Sequence, residues 1–145
     1  MLEASNEVVI ARPIDAVYGF LSNTENDGQW RPGVIEIKRT SGSGVGATYR
    51  QVVKGPGGRP SSADIEITDL RPNELIGFRA TSGPVRPRGR YQLAPAEDGT
   101  RIRFELEAEL HGLIRVMAPM VRKTMQNEVG ALSNLKRVLE RDDQR

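Results

Sequence analysis

The chain has 145 residues, of which 37% are hydrophobic and 28% charged, with a formal net charge of +2; that size suits one domain with a core large enough to hold a pocket. Cysteine is absent, which excludes disulfides, thiolate metal sites and cysteine nucleophiles together, and no apolar run reaches the roughly eighteen residues of a membrane-spanning helix. The basic residues are mostly arginines interleaved with acids, unlike the clustered footprint of a nucleic-acid binder, so nucleic acid is not an expected partner.

Near the N-terminus Leu2, Ala4, Val8 and Ile10 alternate with Glu3, Ser5, Glu7 and Val9, which predicts a first strand. No basic region followed by an apolar run begins the chain, so a cytoplasmic location is expected. Arg12-Pro13 ends the strand, and Pro13 suits the start of a helix, where its missing N–H costs nothing. Ile14, Val17, Tyr18 and Leu21 then mark a short helix. Ser22 to Gly28 is rich in Asn, Asp and Gly, which favour caps and turns, so a second short helix or turn follows before Trp30.

Strands are expected at Val34–Thr40, Ala47–Lys54, Ala63–Leu70, Leu75–Thr81, Arg88–Leu93 and Thr100–Leu110. Gly55 to Pro60 reads as a loop, and Asp98-Gly99 as a hairpin turn. In the last strand Ile102, Phe104, Leu106, Ala108 and Leu110 take one face; Arg101, Arg103, Glu105, Glu107 and Glu109 take the other. That is a half-buried antiparallel strand. After His111-Gly112 the period changes: Ile114, Met117, Val121, Met125, Leu132, Leu135 and Leu139 recur at helical spacing. About 28 residues of helix span ~40 Å, and a helix that long needs a broad curved sheet to bury it. Helices set apart from a run of hairpins give an α+β fold. About seven antiparallel strands would wrap around a long C-terminal helix, with two short helices between strands one and two, as one domain over residues 1–145.

Several stretches carry a resemblance. Val8 to Tyr18 resembles a first strand entering a first helix with proline at the join. Asn23 to Val34, containing Trp30-Arg31-Pro32-Gly33, resembles a second helix and the tryptophan before strand two. Gly44-Val45-Gly46-Ala47-Thr48-Tyr49 and Gly99-Thr100-Arg101-Ile102 resemble the beginnings of two strands, and Leu132 to Glu140 the end of a closing helix. Together they are similar to the START-like, SRPBCC or helix-grip superfamily, and more narrowly to its polyketide cyclase/dehydrase and lipid-transport group. The resemblance implies a cavity between sheet and helix. It does not name the occupant, because this fold serves lipid carriers, aromatic cyclases, hormone-binding proteins, chaperone activators and ribosome binders alike.

Strand parity and helical spacing select the residues facing that space: Tyr49, Phe78, Tyr91 and Phe104 on the sheet, Met117, Met120 and Val121 on the helix. Each apolar one reads equally as core, although methionine adapts to irregular spaces left for ligands. Tyr49 and Tyr91 either orient a ligand's polar end or reach solvent at the sheet edge. Trp30 either caps the pocket mouth or anchors its loop. Glu128 interrupts the helix stripe and either faces the pocket as a general base or bends to the stripe's edge to reach water; an unpaired buried acid is expensive, which favours the edge. His111 suits a turn. Arg88 and Arg90 share the outer face of the last hairpin with Glu105 and Glu107, which reads as a solvated, salt-bridged surface. No metal motif and no cofactor motif is present: there is one histidine, and the glycine-rich stretch lacks a phosphate-loop pattern.

The leading expectation is binding of a small hydrophobic or amphipathic molecule, lipid- or polyketide-like. The alternatives are a cofactor-independent cyclase or dehydratase, weakened by the lack of a His–carboxylate pair, and a protein-interaction module. No integral membrane association is expected, and a homodimer stays open.

Overall fold

A computed structural model describes residues 1–143. The element order is β1 (Leu2–Ile10), α1 (Ile14–Ser22), a 3-10 turn (Thr24–Gln29), β2 (Val34–Ser41), β3 (Thr48–Lys54), β4 (Pro60–Ser62), β5 (Ile65–Arg71), β6 (Leu75–Ala80), β7 (Arg88–Ala96) and β8 (Gly99–Ala108). A 3-10 turn (Gly112–Met117) then leads into α2 (Ala118–Gly130) and α3 (Leu132–Asp143). The strands form one antiparallel sheet in the order β1-β8-β7-β6-β5-β3-β2, with β4 hydrogen-bonded to β3. The α+β helix-grip architecture expected from the sequence is present.

Alternation does what the sequence requires. On β8, Ile102, Phe104, Leu106 and Ala108 are buried under the helices. The opposite face carries a charge ladder, with Arg88 on Glu107, Arg90 on Glu105 and Arg79 on Glu66. These exposed pairs follow the register Arg88↔Glu107 and Arg90↔Glu105, and each contributes a few tenths to about 1 kcal/mol. The β7–β8 hairpin turns one residue earlier than expected, at Glu97-Asp98, and Gly99 opens β8 opposite Ala96. The loop after β3 differs from expectation in one respect. It folds back as a hairpin whose second arm, β4, pairs Ser62 with Val52 and Pro60 with Lys54.

The closing helix is built in pieces. Residues 112–117 form a 3-10 turn, and Pro119 occupies the first turn of α2 rather than bending a helix already under way. Proline there removes an N–H that had no partner in any case. A second interruption falls at Gly130-Ala131, between α2 and α3. The apolar stripe is continuous across it: Val121, Met125, Val129, Leu132, Leu135 and Leu139 are all buried.

The helices are tied to the sheet edge by polar contacts as well. Asn6 Nδ2 donates to the Val129 carbonyl at 3.0 Å, and Arg12 to the Leu139 carbonyl at 3.0 Å. Lys136 Nζ donates to the Val9 carbonyl at 2.7 Å, while the Ala11 N–H donates to Glu140 at 2.9 Å. These bonds fix α3 and the end of α2 on β1. The segment before them is held less deeply: none of the residues of the 112–117 turn is buried.

Candidate ligand-binding site

Four aromatic rings meet beneath the helices. The register places Ile76 beside Tyr91 and Tyr91 beside Phe104, with Phe78 and Leu106 flanking Gly89. A Cβ on Gly89 would stand 2.6 Å from both Phe78 and Leu106, so only glycine lets those two side chains close over the strand. Tyr91 stacks on Phe104 with centroids 4.4 Å apart, and Phe78 tilts onto Tyr91 at 5.9 Å. Trp30 completes the cluster edge-on, 6.1 Å from Tyr91 and 6.4 Å from Phe104. Such pairs add about 0.5–1.5 kcal/mol each beyond their burial.

Beside this layer lies a buried charge network. Arg31, in the loop that leads from Trp30 into β2, has a guanidinium almost out of water. Its Nη1 donates to Asp27 Oδ2 and to Gln51 Oε1, each at 2.9 Å, and its Nε donates to Glu128 Oε2 at 2.9 Å. Gln51 is held in turn by donating to the Ala63 carbonyl at 3.0 Å. Four elements thus converge on one cation: the 3-10 turn after α1, the Trp30 loop, β3 and α2. Burial alone would lower the Arg31 pKa, but Glu128 and Asp27 outweigh it and raise it, so the side chain stays charged. For Asp27 the balance is reversed. Burial pushes its carboxyl up to about 6, against the downward pull of Arg31. The Trp30 indole N–H favours the same carboxylate but does not reach hydrogen-bond geometry.

Tyr91 is the group left over. Its ring belongs to the aromatic layer, and its hydroxyl is buried with no hydrogen-bond partner among the described residues. Burial first, then the charge of Asp27, holds the phenol well above its ordinary pKa; it is a neutral O–H at any physiological pH. An unpaired buried hydroxyl costs about 1–3 kcal/mol. It borders a cavity of about 10 Å³ lined by Thr24, Asp27, Arg31, Ile76 and Phe78 among others, enough for about one water. A concavity of about 960 Å³ also exists, but it runs across the charged outer face past Arg79, Arg90, Arg103 and Glu105. Its arginines are already paired by glutamates, Arg79 and Arg90 across the strands and Arg103 within β8, and stand in water, so the buried cavity is the stronger candidate.

Of the residues chosen from the sequence, Trp30, Phe78, Tyr91 and Phe104 come together here. Val121 is buried in the same core, with Met117 packed against its margin, whereas Met120 is 47% exposed. Tyr49 lies in a separate cluster with Ala47, Ile65 and Ile67, which Phe78 links to the first. Glu128 lies half-buried at the edge of the helix stripe, as expected, but it is paired there with Arg31. Asp27, Arg31 and Gln51 were not expected as site residues. The only local signal was the i, i+4 spacing of Asp27 and Arg31; Gln51 and Glu128 lie 20 and 97 residues from Arg31 along the chain.

Comparison with known proteins agrees with this architecture. A protein of Thermus thermophilus superposes with a TM-score of 0.79 at 22% identity, covering 93% of this chain and 94% of the other. A START superfamily protein from Mycobacterium smegmatis gives 0.79 at 19% identity, with 96% and 97% covered. The di-domain ARO/CYC protein StfQ of the steffimycin biosynthetic pathway gives 0.78 at 13% identity, covering 99% of this chain and 52% of StfQ. No curated protein matches the sequence. The sequence profile of one family, polyketide cyclase/dehydrase and lipid transport, matches residues 1–140. With that match over nearly its whole length, the chain belongs to the polyketide cyclase/dehydrase and lipid-transport family.

Proposed function

We propose that this protein binds a small hydrophobic or amphipathic molecule, lipid- or polyketide-like, between the sheet and α2. The observation that carries the reading is the unpartnered Tyr91 hydroxyl set between an aromatic layer and a buried arginine. Ligand pockets combine mostly apolar walls with a few fixed polar groups that orient one end of the guest. Here the rings of Trp30, Phe78 and Phe104 supply the walls. Tyr91 and the Arg31 network supply donors for an oxygen-bearing end, a carbonyl, hydroxyl or carboxylate. The space beside Tyr91 holds only about 10 Å³, so a guest has to displace part of the cover. The space itself is lined from α1, the turn after it, the Trp30 loop and the sheet; the 3-10 turn from Gly112 to Met117, which has no buried residue, is the least anchored segment near the core and the one a guest would displace. Gly112, at φ 62°, gives a backbone pivot that other residues adopt with strain. Met117, Met120 and Val121 would line the opened space from above.

The test is native mass spectrometry of protein purified from its own host. A retained small molecule, lost or markedly depleted in Tyr91→Phe, supports the reading. Protein that stays at its bare mass under conditions preserving non-covalent complexes counts against it.

A second reading has one observation in its favour. Asp27, raised to about 6, lies by a phenol, and an acid poised near neutrality together with a proton donor suits cyclisation or dehydration of a poly-carbonyl chain. StfQ, with its ARO/CYC domains, shares the fold. Turnover of a polyketide-like substrate that Asp27→Asn abolishes without loosening binding favours this reading over simple carriage.

A further inference from the structure

The 3-10 turn before α2 and the start of α2 have an outer surface that packing on the core does not explain. Leu113 is 90% exposed, Val116 82% and Met120 47%. With Lys123 they fall at three- and four-residue spacing along one side of the 3-10 turn and the start of α2, opposite the buried Val121 and Met125. Pro119 is exposed beside them. From Leu110 to Asn127 the chain has three cations, Arg115, Arg122 and Lys123, and no aspartate or glutamate. All three cations are exposed. Of the acids flanking the stretch, Glu107 pairs with Arg88 and Glu128 holds Arg31, while Glu109 stands exposed 3.7 Å from the exposed His111. The β3–β4 hairpin, whose turn touches α2, adds Arg59, exposed as well.

We infer that this stretch, with Leu113, Val116 and Met120 exposed and the cations Arg115, Arg122 and Lys123 interspersed among them, docks the protein peripherally on an anionic lipid bilayer. Apolar side chains that enter the headgroup boundary, with cations at the rim for the lipid phosphates, are what interfacial segments require. A protein partner would more often meet mixed charge, whereas an acid-free rim complements a surface of uniform negative sign. Three exposed apolar side chains alone bind weakly, so the anionic component is needed. At roughly fivefold per cation, the three cations make about a 100-fold preference for anionic over neutral lipid at low salt. The inference does not rest on the ligand reading, because docking is measured on the protein without added ligand.

The experiment is co-sedimentation with vesicles of phosphatidylcholine alone and of phosphatidylcholine with 30% phosphatidylglycerol (about a third anionic, enough for a strong surface potential). Binding to the mixed vesicles that is about 100-fold tighter than to the neutral ones, and that weakens with added salt, is expected. Leu113→Ser/Val116→Ser keeps the charge and should bind at least tenfold less; Arg122→Gln/Lys123→Gln should bind roughly 25-fold less. Lys38→Gln/Arg39→Gln on β2 should bind like the parent. All these positions are exposed, so an unchanged melting temperature confirms each fold. Equal binding to both vesicles, binding to neither, full binding by the Ser variant, or a loss in the β2 variant as large as in Arg122→Gln/Lys123→Gln would overturn the inference. So would sedimentation velocity showing a dimer that Leu113→Ser/Val116→Ser dissolves, since a second copy would then cover the face.

Discussion

Arg31 shows why a buried ion pair is better judged by what its loss leaves behind. Removing one partner of a buried pair costs about 3–5 kcal/mol, because the other charge stays behind without compensation. Arg31→Met leaves Asp27 and Glu128 facing each other, so urea unfolding should show a loss in that range. A loss below about 1 kcal/mol would mean that the network is wet. Asp27 adds a pH signature. Its pKa rises from 3.8 to about 6 on folding, so the folded state holds the extra proton in that window. Stability from this group is full below about pH 4 and falls as pH rises through about 6, by about 3 kcal/mol at 1.4 kcal/mol per unit. Compared with Asp27→Asn, the parent should therefore lose stability between those pH values, and parallel pH curves would refute the assignment. Tyr91→Phe removes a hydroxyl that has no partner among the described residues; stability should hold or rise slightly by thermal melting. Little of this was legible in the sequence. Arg31 sits in a proline- and glycine-flanked loop that reads as a turn, and its partner Glu128 is far along the chain, on a helix whose own periodicity says only that a polar residue interrupts a stripe.

Elements are where the sequence spoke most plainly. β8 alternates almost without a fault and β7 does so as far as Leu93, because one face must meet the helices and the other water; β3 alternates only over its first half. Periodicity also located the closing helix, but not its interruptions. Gly130-Ala131 breaks the hydrogen-bond ladder without disturbing the apolar stripe, and Pro119 is as acceptable at a helix start as at a kink. The short β4 was hidden by the glycines and proline before it and by Pro60 at its own start. Whether the closing helices are needed for the fold has a direct check. Leu132 and Leu135 are 0% exposed, so Leu135→Ala should destabilise by about 2–5 kcal/mol. An unchanged unfolding midpoint would place that side chain outside the core. Leu113→Ala, at 90% exposure, should leave the midpoint where it is.

At the scale of the whole molecule, anchorage is uneven. α3 and the end of α2 are held by buried leucines, by bonds to β1, and by the Arg31–Glu128 bridge. Asn134 Nδ2 adds a bond to the Trp30 carbonyl at 3.2 Å. The chain from Gly112 to Met117 has no buried residue, and Met120 is 47% exposed, so this stretch has far less to hold it; on the proposed reading it is the part a guest displaces. Local opening of weakly anchored segments is the usual origin of ligand access. Parity and spacing in the sequence selected Tyr91, Phe104 and Val121, which share one buried core cluster. They could not say that the space is nearly closed without a guest, because closure depends on how four aromatic rings interlock. The central claim, that the space beside Tyr91 opens to take an amphipathic guest, is tested most directly through Trp30, the single tryptophan of the chain. The protein is titrated with 1-anilinonaphthalene-8-sulfonate while Trp30 emission is followed. The account predicts saturable one-to-one binding with energy transfer from Trp30, weakened about 3–10-fold in Tyr91→Phe, the worth of one hydrogen bond. No saturable transfer from Trp30, or equal affinity in Tyr91→Phe, would contradict it.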